Sequence, residues 1–440
     1  MPRQFDPASG TRDFLAAELE RREWAFGAIR AVFQRYGFEP LQTPAFERLD
    51  VLLGRYGDEG DKLVFKILRR GEHEASGEAD LALRYDMTVP LARVAAAYGS
   101  QLTWPYKRYA MGPVWRADRP GKGRFREFVQ CDLDTLGSTS PLADAEVLCA
   151  HHDAMTGLGI SGFTVALNSR HVLAGLLEAF RISPELGTGV LTSLDKLDKL
   201  APAAVIAELA DRGLAADVAG ELVETISAPD AADRIRGALK PSEEGLAGLG
   251  EVDAVLDLVS AQLPAGRVEF TPSLVRGLSY YTGPIWEIRA PDVAGSLGGG
   301  GRYDHLIEAV GGPDVPAVGS SIGVERILSL LPGTAGQEAG RGRLDVVVTV
   351  LGEEQAAASF GLAAAARAAG LRASVYLGAS GKIGKQLGWA SDQGARWCLI
   401  YGAREREAGL VKVRDLASRE EADVPPAEVT DYLARAAAAG

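Results

Sequence analysis

Residues 106–137 read YKRYAMGPVWRADRPGKGRFREFVQCDLDTLG and carry the densest structural signal in the chain. Two extended runs, Tyr106–Arg116 and Arg126–Leu136, flank a Pro-Gly-Lys-Gly turn. Extended segments on both sides of a glycine-bearing turn are typical of a β-hairpin. The stretch therefore predicts a long antiparallel pair of strands.

The second of these strands has one unusually polar face. Successive residues of a strand point to opposite sides, so one face carries Phe128, Gln130, Asp132 and Asp134 and the other carries Val129, Cys131 and Leu133. An amide and two carboxylates on one side do not suit a core strand. We therefore expect this face to line a pocket. The alternative, a solvated hairpin with a charged tip, explains the tip alone.

The same hairpin is locally basic. Its cationic residues are Lys107, Arg108, Arg116, Arg119, Lys122, Arg124 and Arg126. The whole chain is acidic, with a formal net charge of −12 over 440 residues, so its overall field repels polyanions. A polyphosphate or the end of a nucleic acid would have to dock at a local cationic surface such as this one.

Cysteine spacing and hydropathy indicate a soluble, cytoplasmic protein. Cys131, Cys149 and Cys398 lie too far apart for a CxxC motif, and an odd number of cysteines argues against a disulfide framework. No apolar run reaches membrane-spanning length, and the first residues, MPRQFDPASGTRDF, lack a signal-peptide core. We therefore expect no membrane partner.

A second informative stretch is LVRGLSYYTGPIWEI, Leu274–Ile288. Arg276 offers a fork of donors suited to a carboxylate or phosphate, and Tyr280 and Tyr281 offer flat apolar faces with hydroxyl tips. An aromatic-rich strand with one surface arginine is the competing interpretation. In a plain strand Arg276 and Tyr281 would point to opposite faces, so a pocket that uses both requires a bend near residues 277–279.

Two further segments each permit two interpretations. In LRYDMTVPLARVA, residues 83–95, Asp86 and Thr88 are two apart, so an extended backbone would point both the same way. A carboxylate beside a hydroxyl suits an ammonium group, whereas an exposed turn before a helix is equally compatible. In VGSSIGVERILSLL, residues 318–331, a strand and a turn lead into a helix, with Arg326 either under a bound anion or facing solvent.

The glycine run LGGGGRYDHLIEAVGG, residues 297–312, does not have the pattern of a nucleotide-binding loop. It does not fit G-x-G-x-x-G at the start of a helix, and G-x-x-x-x-G-K-[ST] occurs nowhere in the chain. We expect these glycines to let two backbones approach closely.

Composition and periodicity divide the chain into parts. Residues 170–264 are helical and rich in alanine and leucine, and residues 332–343 have the glycine-rich composition of a linker. Strands and helices alternate beyond the linker, which predicts a small α/β domain with a mostly parallel sheet. The predicted parts are a first domain in two pieces, 1–169 and 265–331, a helical insertion, 170–264, the linker, 332–343, and a C-terminal domain, 344–440.

Together these motifs resemble the histidyl-tRNA synthetase family of class II aminoacyl-tRNA synthetases, over nearly the whole chain. YGFEPLQTPAFE resembles motif 1 with its proline at Pro44, VWRADRP with FREFVQCDLDTLG resembles motif 2, and GSSIGVERI resembles motif 3 with its arginine at Arg326. RGLSYYTG and GGGGRYD resemble the two signatures peculiar to the histidine enzymes, and LRYDMTVP and QCDLD are closer to the eukaryotic type. Motifs in the family's own order make the resemblance specific.

The resemblance implies an α/β protein. It would have an α+β catalytic domain with an antiparallel sheet flanked by helices, the helical insertion, and a C-terminal α/β domain of the anticodon-binding kind. The implied reaction activates histidine with ATP to histidyl-adenylate, with Mg²⁺ escorting the pyrophosphate, and transfers it to tRNA(His). Motif 1 implies a homodimer. No side chain is predicted as a direct metal ligand.

The resemblance also assigns roles to individual residues. Arg276 and Arg116 would stabilise the reacting α-phosphate. The ATP site would comprise Arg116, Asp118, Arg124, Phe128 and Arg326, with Asp118 at the adenine amino group and Phe128 stacked on adenine. The histidine site would comprise Asp86, Thr88 and Gln130 at the ammonium group, and Asp134, Tyr280 and Tyr281 at the imidazole.

The chain departs from the family pattern at Ser279, where the family usually carries Asp, and the motif 2 tip, Pro120–Gly123, has few side chains to read a tRNA end. One rival function is a non-catalytic paralogue, such as the regulatory subunit of the first histidine-biosynthesis enzyme, although that class usually lacks RGLxYYTG and the C-terminal domain. Another is a ligase that activates histidine for a small molecule or carrier protein. The sequence separates that ligase poorly from a synthetase.

Overall fold

The computed structural model describes residues 5–56, 60–71, 76–121, 123–198, 200–275, 280–291, 293, 295–333, 335 and 344–438. The chain forms two compact units, Met1–Ala335 and Gly336–Gly440. Most of the predicted linker, 332–343, lies outside the described residues, and so do Arg276 and Ser279.

The first unit contains both strands and helices, numbered separately in chain order. The strands are β1 (Glu39–Pro40), β2 (Phe46–Arg48), β3 (Lys66–Leu68), β4 (Ala79–Leu83), β5 (Tyr106–Trp115), β6 (Glu127–Leu136), β7 (Thr164–Ser169), β8 (Val268–Phe270), β9 (Pro284–Arg289), β10 (Gly298–Arg302) and β11 (Ala317–Gly323). The helices are α1 (Ala16–Arg35), α2 (Leu49–Leu52), α3 (Thr88–Tyr98), α4 (Pro141–Gly157), α5 (Arg170–Ala179), α6 (Pro184–Leu194), α7 (Pro202–Asp211), α8 (Ala216–Ser227), α9 (Ala231–Ala238), α10 (Glu243–Ser260), α11 (Leu306–Ala309) and α12 (Val324–Leu330).

The predicted hairpin is confirmed and lies within an eight-stranded sheet. Strands β5 and β6 pair antiparallel, from Tyr106 opposite Leu136 to Trp115 opposite Glu127. The strand order is β1-β5-β6-β11-β10-β9-β7-β8, and only the pairs at the two ends, β1–β5 and β7–β8, are parallel. A separate three-stranded sheet has the order β2-β4-β3.

The glycine run forms strand β10, between β9 and β11. Gly300 lies opposite Ser320 of β11, and a Cβ on Gly300 would overlap the carbonyl oxygen of Gly319. The expected close approach of two backbones is confirmed, because no other residue type fits at this spacing.

Helices α1 and α4 pack together against the sheet. Helix α4 contacts β6 and β11, and α1 contacts α4 and β6. The core that they enclose contains Ile29 and Phe33 of α1 together with Cys131 and Leu133 of β6, all 0% exposed. Burying a side chain as large as Phe33 stabilises the fold by roughly 1.5–3 kcal/mol. The apolar face of β6 is thereby covered, which leaves its polar face for the opposite side of the sheet.

Helices α5 to α10 confirm the helical character predicted for residues 170–264. Helix α10 packs on α5, α4 and β7, so these helices are continuous with the core of the first unit. Both α5 and α10 begin at a serine cap, since the Ser169 hydroxyl accepts the His171 N–H at 3.2 Å and the Ser242 hydroxyl accepts the Gly245 N–H at 3.0 Å. Among the described helices of the chain, none is long and apolar enough to span a membrane.

The second unit corrects one expectation. Its elements are β12 (Val346–Val348), α13 (Glu353–Ala368), β13 (Ala373–Val375), α14 (Ile383–Asp392), β14 (Trp397–Ile400), α15 (Ala403–Ala408), β15 (Val411–Asp415), β16 (Glu421–Val424) and α16 (Val429–Ala438). The sheet order is β13-β12-β14-β15-β16, parallel among the first three strands and antiparallel in the last two pairs. The predicted mostly parallel sheet is therefore wrong in its second half. There Val411 and Val413 are buried while Lys412 pairs across the strands with Asp423 at 2.9 Å.

Candidate active site

One cleft of the first unit collects the site residues predicted from the sequence. Its lining includes Asp86, Thr88, Arg116, Asp118, Arg124, Phe128, Gln130, Asp134, Tyr280, Tyr281 and Arg326. Those residues come from segments spread over more than half of the first unit, and the fold brings them together. Arg276 lies outside the described residues, as does the bend predicted near residues 277–279.

The polar face of β6 forms one wall of this cleft, as expected. Phe128, Gln130 and Asp134 line it, and the Gln130 amide donates to the Ser321 hydroxyl of β11 at 2.6 Å. Asp132 shares their side of the strand but is only 1% exposed. This residue therefore lies within the protein beneath the ligand-facing groups.

Asp86 precedes helix α3 and caps it. Its Oδ1 accepts the backbone N–H groups of Thr88 at 3.1 Å and Val89 at 3.0 Å, and the Tyr56 hydroxyl at 3.3 Å. Thr88 is the first residue of the helix, so the prediction that Asp86 and Thr88 share an extended segment is wrong. The exposed-turn alternative is also wrong, since Asp86 is 2% exposed.

The second carboxylate oxygen of Asp86 remains available. Oδ2 is buried, and no described residue gives it a hydrogen bond. Burial raises the pKa of Asp86, while the N–H groups of Val89 and Thr88 and the Arg116 cation lower it. A buried acid with one bare oxygen in a cleft suits a ligand that carries N–H donors and positive charge.

Asp134 is held by two residues that the sequence did not single out for this site. The Arg108 Nη2 lies 2.8 Å from Asp134 Oδ2, and the Tyr303 hydroxyl donates to Oδ1. Arg108 is 0% exposed, so its assignment to the cationic surface of the hairpin is wrong. Its position opposite Asp134 in the β5–β6 register was the signal that could have identified it.

Arg116 stands between two aromatic rings. Its Nε donates to the Tyr85 carbonyl at 3.1 Å, and its guanidinium carbon is 4.3 Å from the Tyr85 ring centre and 5.2 Å from that of Phe128. Backbone and rings together hold the guanidinium in the cleft. The rest of its donor fork can then meet an anion.

Two more arginines face the same end of the cleft. The Arg326 Nη1 donates to the Ser296 carbonyl at 2.5 Å, and Arg124 pairs with Asp118 at 3.0 Å. Burial lowers the pKa of Arg326, and the neighbouring cations Arg124 and Arg116 lower it further, whereas Glu287 raises it. Arg326 lines the cleft instead of facing bulk solvent. Three neighbouring cations, whose mutual repulsion an anion would relieve, suit a polyphosphate at this end.

Glu325 is a further residue that sequence reasoning missed. Its carboxylate accepts the Val129 backbone N–H at 3.1 Å and pairs with Arg22 of α1 at 2.9 Å, with both charged side chains nearly buried. Helix α12, strand β6 and helix α1 are thereby joined at one point. Arg326, the next residue, is positioned by this anchor.

The tyrosines close the other end. The ring centres of Tyr280 and Tyr281 are 4.9 Å apart, and that of Tyr303 is 5.9 Å from that of Tyr280. Tyr303, which contacts Asp134, therefore belongs to an aromatic cluster that lines the cleft beside this carboxylate. Flat apolar rings around one anchored carboxylate suit a planar ligand that carries N–H groups.

Comparison with known proteins places the chain in a family. A family model described as "Histidyl-tRNA synthetase" matches residues 10–327. The chain belongs to the histidyl-tRNA synthetase family. A second model, "Anticodon binding domain", matches residues 345–436. The resemblance expected from the motifs is confirmed.

Individual relatives agree with this assignment. A "Histidine--tRNA ligase" of Gloeobacter violaceus is 39% identical over 97% of this chain and 97% of its own length. The crystal structure of histidyl-tRNA synthetase from Nostoc sp. PCC 7120 matches with a TM-score of 0.76 at 30% identity, covering 99% of this chain and 100% of that one. The predicted fold class is confirmed.

One further structure shares the fold alone. It comes from Bacillus halodurans and is described as "an ATP phosphoribosyltransferase regulatory subunit/histidyl-tRNA synthetase". Its TM-score is 0.74 at 21% identity, and the match covers 92% of this chain and 100% of that one. Fold by itself therefore does not separate a synthetase from a regulatory relative.

Proposed function

We propose that this chain is a histidine–tRNA ligase that activates histidine with ATP and transfers the histidyl group to tRNA(His). The observation that carries the proposal is the division of one cleft into two chemical halves. One half holds the buried acids Asp86 and Asp134, and the other holds the cations Arg116, Arg124 and Arg326. An amino acid with a cationic ammonium group and N–H donors fits the first half, and the phosphates of ATP fit the second.

Histidine would lie along the polar face of β6. Its ammonium group would meet Oδ2 of Asp86, the oxygen that no described residue occupies, together with Thr88 and Gln130. Its imidazole would meet Asp134, with Tyr281 and Tyr280 beside it. A carboxylate and a phenol can satisfy both ring nitrogens, and an analogue that lacks them would leave buried polar groups unpaired.

ATP would occupy the arginine half of the cleft as its magnesium complex. Phe128 would stack on adenine, Asp118 would meet the adenine amino group, and Arg326 would lie on the other side of the base, near the γ-phosphate. Arg116 would bind between the α-phosphate and the histidine carboxylate, with Arg124 also at the phosphates. Electrostatic stabilisation by fixed cations then supplies the main catalytic effect.

The reaction needs no protein nucleophile. A histidine carboxylate oxygen attacks the α-phosphorus of ATP, and the bond to the bridging oxygen breaks to release pyrophosphate. A ribose hydroxyl at the tRNA end then attacks the carbonyl carbon of histidyl-adenylate, and AMP leaves. Positioning and charge stabilisation, to which Arg276 would also contribute at the α-phosphate, account for both steps.

The remaining assignments follow from this function. The first unit would act as the catalytic domain in two pieces, 1–169 and 265–331, with 170–264 as its insertion. Residues 344–440, joined through 332–343, would bind the tRNA anticodon, in line with the domain model that matches them. We also propose a homodimer, on the motif 1 resemblance, and a cytoplasmic location, because tRNA charging serves translation.

Two reactions measured on the same preparation test the proposal. We expect histidine-dependent exchange of pyrophosphate into ATP, and charging of tRNA(His) but not of a non-cognate tRNA. Exchange without charging would instead identify a ligase that acts on another acceptor, and neither reaction would identify a regulatory paralogue. The domain match at residues 345–436 favours charging over both.

A further inference from the structure

Two carboxylates and one guanidinium share the buried floor of the histidine half of the cleft. Asp132 and Asp134 lie on the same side of β6, and Arg108 of β5 is the register partner of Asp134. Their exposed fractions are 1%, 2% and 0%. Burying a charge without a partner is costly, so the contacts of Arg108 determine which of the two acids is paired.

The contacts assign the cation to Asp134. The Arg108 Nη2 is 2.8 Å from Asp134 Oδ2 and donates to the Met87 carbonyl at 3.1 Å. Asp132 forms no ion pair with a described cation, and the neighbouring Ser321 side chain lowers its pKa. Burial raises the pKa of Asp132 to about 7, which the Arg108 cation only partly offsets. The ion pair therefore favours the charge on Asp134, whereas Asp132 holds its proton below a pH of about 7.

Arg108 and Tyr303 leave Asp134 with a defined residual capacity. An ionised carboxylate has about four lone-pair sites on two oxygens. The Arg108 Nη2 lies 2.8 Å from Oδ2 as an ion-pair partner without hydrogen-bond geometry, and the Tyr303 hydroxyl occupies a lone-pair site on Oδ1. Because both partners are donors, Asp134 can present only acceptor sites to the cleft. Arg108 lies behind Asp134, whereas Asp134 and Tyr303 line the cleft itself.

We propose that Arg108 is a positioning residue that sets specificity for histidine, by holding Asp134 as an ionised and correctly aimed acceptor for a ring N–H of the amino acid. The proposal rests on the proposed function. A ligand without a ring N–H at that point would leave the Asp134 carboxylate buried and without a hydrogen bond. The binding free energy of such a ligand would therefore be less favourable. Arg108 thus acts on the substrate through another residue.

The test is the variant Arg108→Met, compared with wild type in pyrophosphate exchange. We expect the KM for histidine to rise at least ~30-fold, the effect of removing one partner of a buried charge pair, and the KM for ATP to stay within ~3-fold. We also expect the preference for histidine over β-(2-thienyl)-alanine, whose ring has no N–H, to fall. A merely structural role would move both KM values together.

A pH profile supplies a second readout. The groups that face Asp134 are Arg108 from β5, Tyr303 after β10, Asp86 before α3 and Asp132 on its own strand, while β11 contributes Gly319. Burial and Asp86 raise the pKa of Asp134, and Arg108 and Tyr303 lower it. Without Arg108 the acid protonates more readily, so the ratio of variant to wild-type KM for histidine should fall as pH rises.

Arg84→Met is the matched control. Arg84 is a second buried arginine of this region, 6% exposed, and it donates to the backbone carbonyls of Pro113 and Thr43 at 2.9 Å. We expect it to lower stability without changing the ratio of the two KM values. The proposal would be overturned if the ratio of the histidine KM to the ATP KM were the same in the Arg108 and Arg84 variants. An Arg108→Met enzyme with the wild-type KM for histidine would also overturn it.

A second variant covers the case in which Arg108→Met does not fold. Tyr303→Phe keeps the ring and removes the hydroxyl that donates to Asp134 Oδ1. The KM for histidine should therefore rise while the KM for ATP is unchanged. An unchanged KM for histidine would refute the proposed role of Asp134. Calorimetric titration with histidine separates this inference from the proposed function. A wild-type protein that binds histidine but catalyses no exchange would refute the function, and the variant-to-wild-type ratio of Kd would still decide the role of Arg108. No binding to wild type would refute both.

Discussion

Gly319 of β11 lies directly against the Asp134 carboxylate of β6. The two residues are register partners, and a methyl group built on Gly319 would overlap Asp134 Oδ1 and fall 2.5 Å from its carboxyl carbon. Only glycine therefore leaves room for this carboxylate to stand between Arg108 and Tyr303. Gly319 thus determines the orientation of the Asp134 carboxylate, the proposed acceptor for the imidazole.

The first prediction concerns Gly319→Ala. The methyl group must displace the Asp134 carboxylate, so we expect the KM for histidine to rise at least ~5-fold in pyrophosphate exchange, with a smaller change for ATP, because a displaced buried hydrogen-bond partner costs at least about 1 kcal/mol. Gly220→Ala in helix α8 is the control, since nothing lies within 4 Å of its Cβ position. That substitution should stabilise the protein by about 0.4–1 kcal/mol. Indistinguishable histidine KM values for the two variants would contradict the argument.

The second prediction concerns Asp86→Asn, which keeps the size of the side chain and an oxygen to cap α3. It replaces the bare Oδ2 with an N–H donor that opposes an ammonium group. We expect the KM for histidine to rise ~30-fold or more. Because burial raises the pKa of Asp86, the ionised acid destabilises the fold at neutral pH, and the variant should melt at a higher temperature.

Thermal unfolding and exchange on one sample check both halves of this prediction. Asp86→Asn should lower the rate of pyrophosphate exchange and raise the melting temperature. A variant that loses stability together with activity would show that Asp86 acts mainly as the cap of α3.

The third prediction concerns the pH dependence of stability at Asp132. Its pKa is raised to about 7 by burial, so between the ordinary value of 3.8 and about 7 the folded state binds more protons than the unfolded state. The contribution of Asp132 to the free energy of unfolding should therefore fall as pH rises through that window. The amide of Asp132→Asn has no proton to lose. The free energy of unfolding of this variant, relative to that of wild type, should therefore increase across the window by up to about 4 kcal/mol and then level off.

Denaturant unfolding of wild type and variant at about pH 5 and about pH 8 measures this difference. The exposed Asp211→Asn variant serves as control, and its unfolding should follow wild type at both values. If the difference in free energy of unfolding between Asp132→Asn and wild type became smaller as pH rises, it would have the wrong sign. That result would refute the conclusion that Asp132 is buried as a neutral acid.

The fourth prediction concerns Arg276, which lies outside the described residues. If it stabilises the α-phosphate in the transition state, Arg276→Ala should lower the exchange rate by ~10²–10³-fold, the usual effect of losing one such donor. Calorimetric affinity for histidine should change far less. Arg234→Ala, on the exposed surface of α9, should exchange at the wild-type rate. Near-normal exchange by the Arg276 variant would remove it from the catalytic site.

The sequence by itself determined the local elements and the family. The hairpin at residues 106–137, the helices of residues 170–264 and the close backbone approach at the glycine run all follow from patterns within a few residues of each other. Side-chain periodicity and turn chemistry are local, so they can be read without a fold. The motifs likewise identified the family, and every predicted site residue that the structure describes lines one cleft.

Only the tertiary structure decided the states of the charged groups. The sequence counted Arg108 among surface cations and placed Asp86 either in an extended segment or in an exposed turn, whereas the fold buries the first beside Asp134 and uses the second to cap α3. Burial, register across β5 and β6, and contact with Tyr303 depend on segments far apart in the chain. Those contacts fix which acid is charged and which oxygen is bare, because the cost of a buried charge depends on all its neighbours.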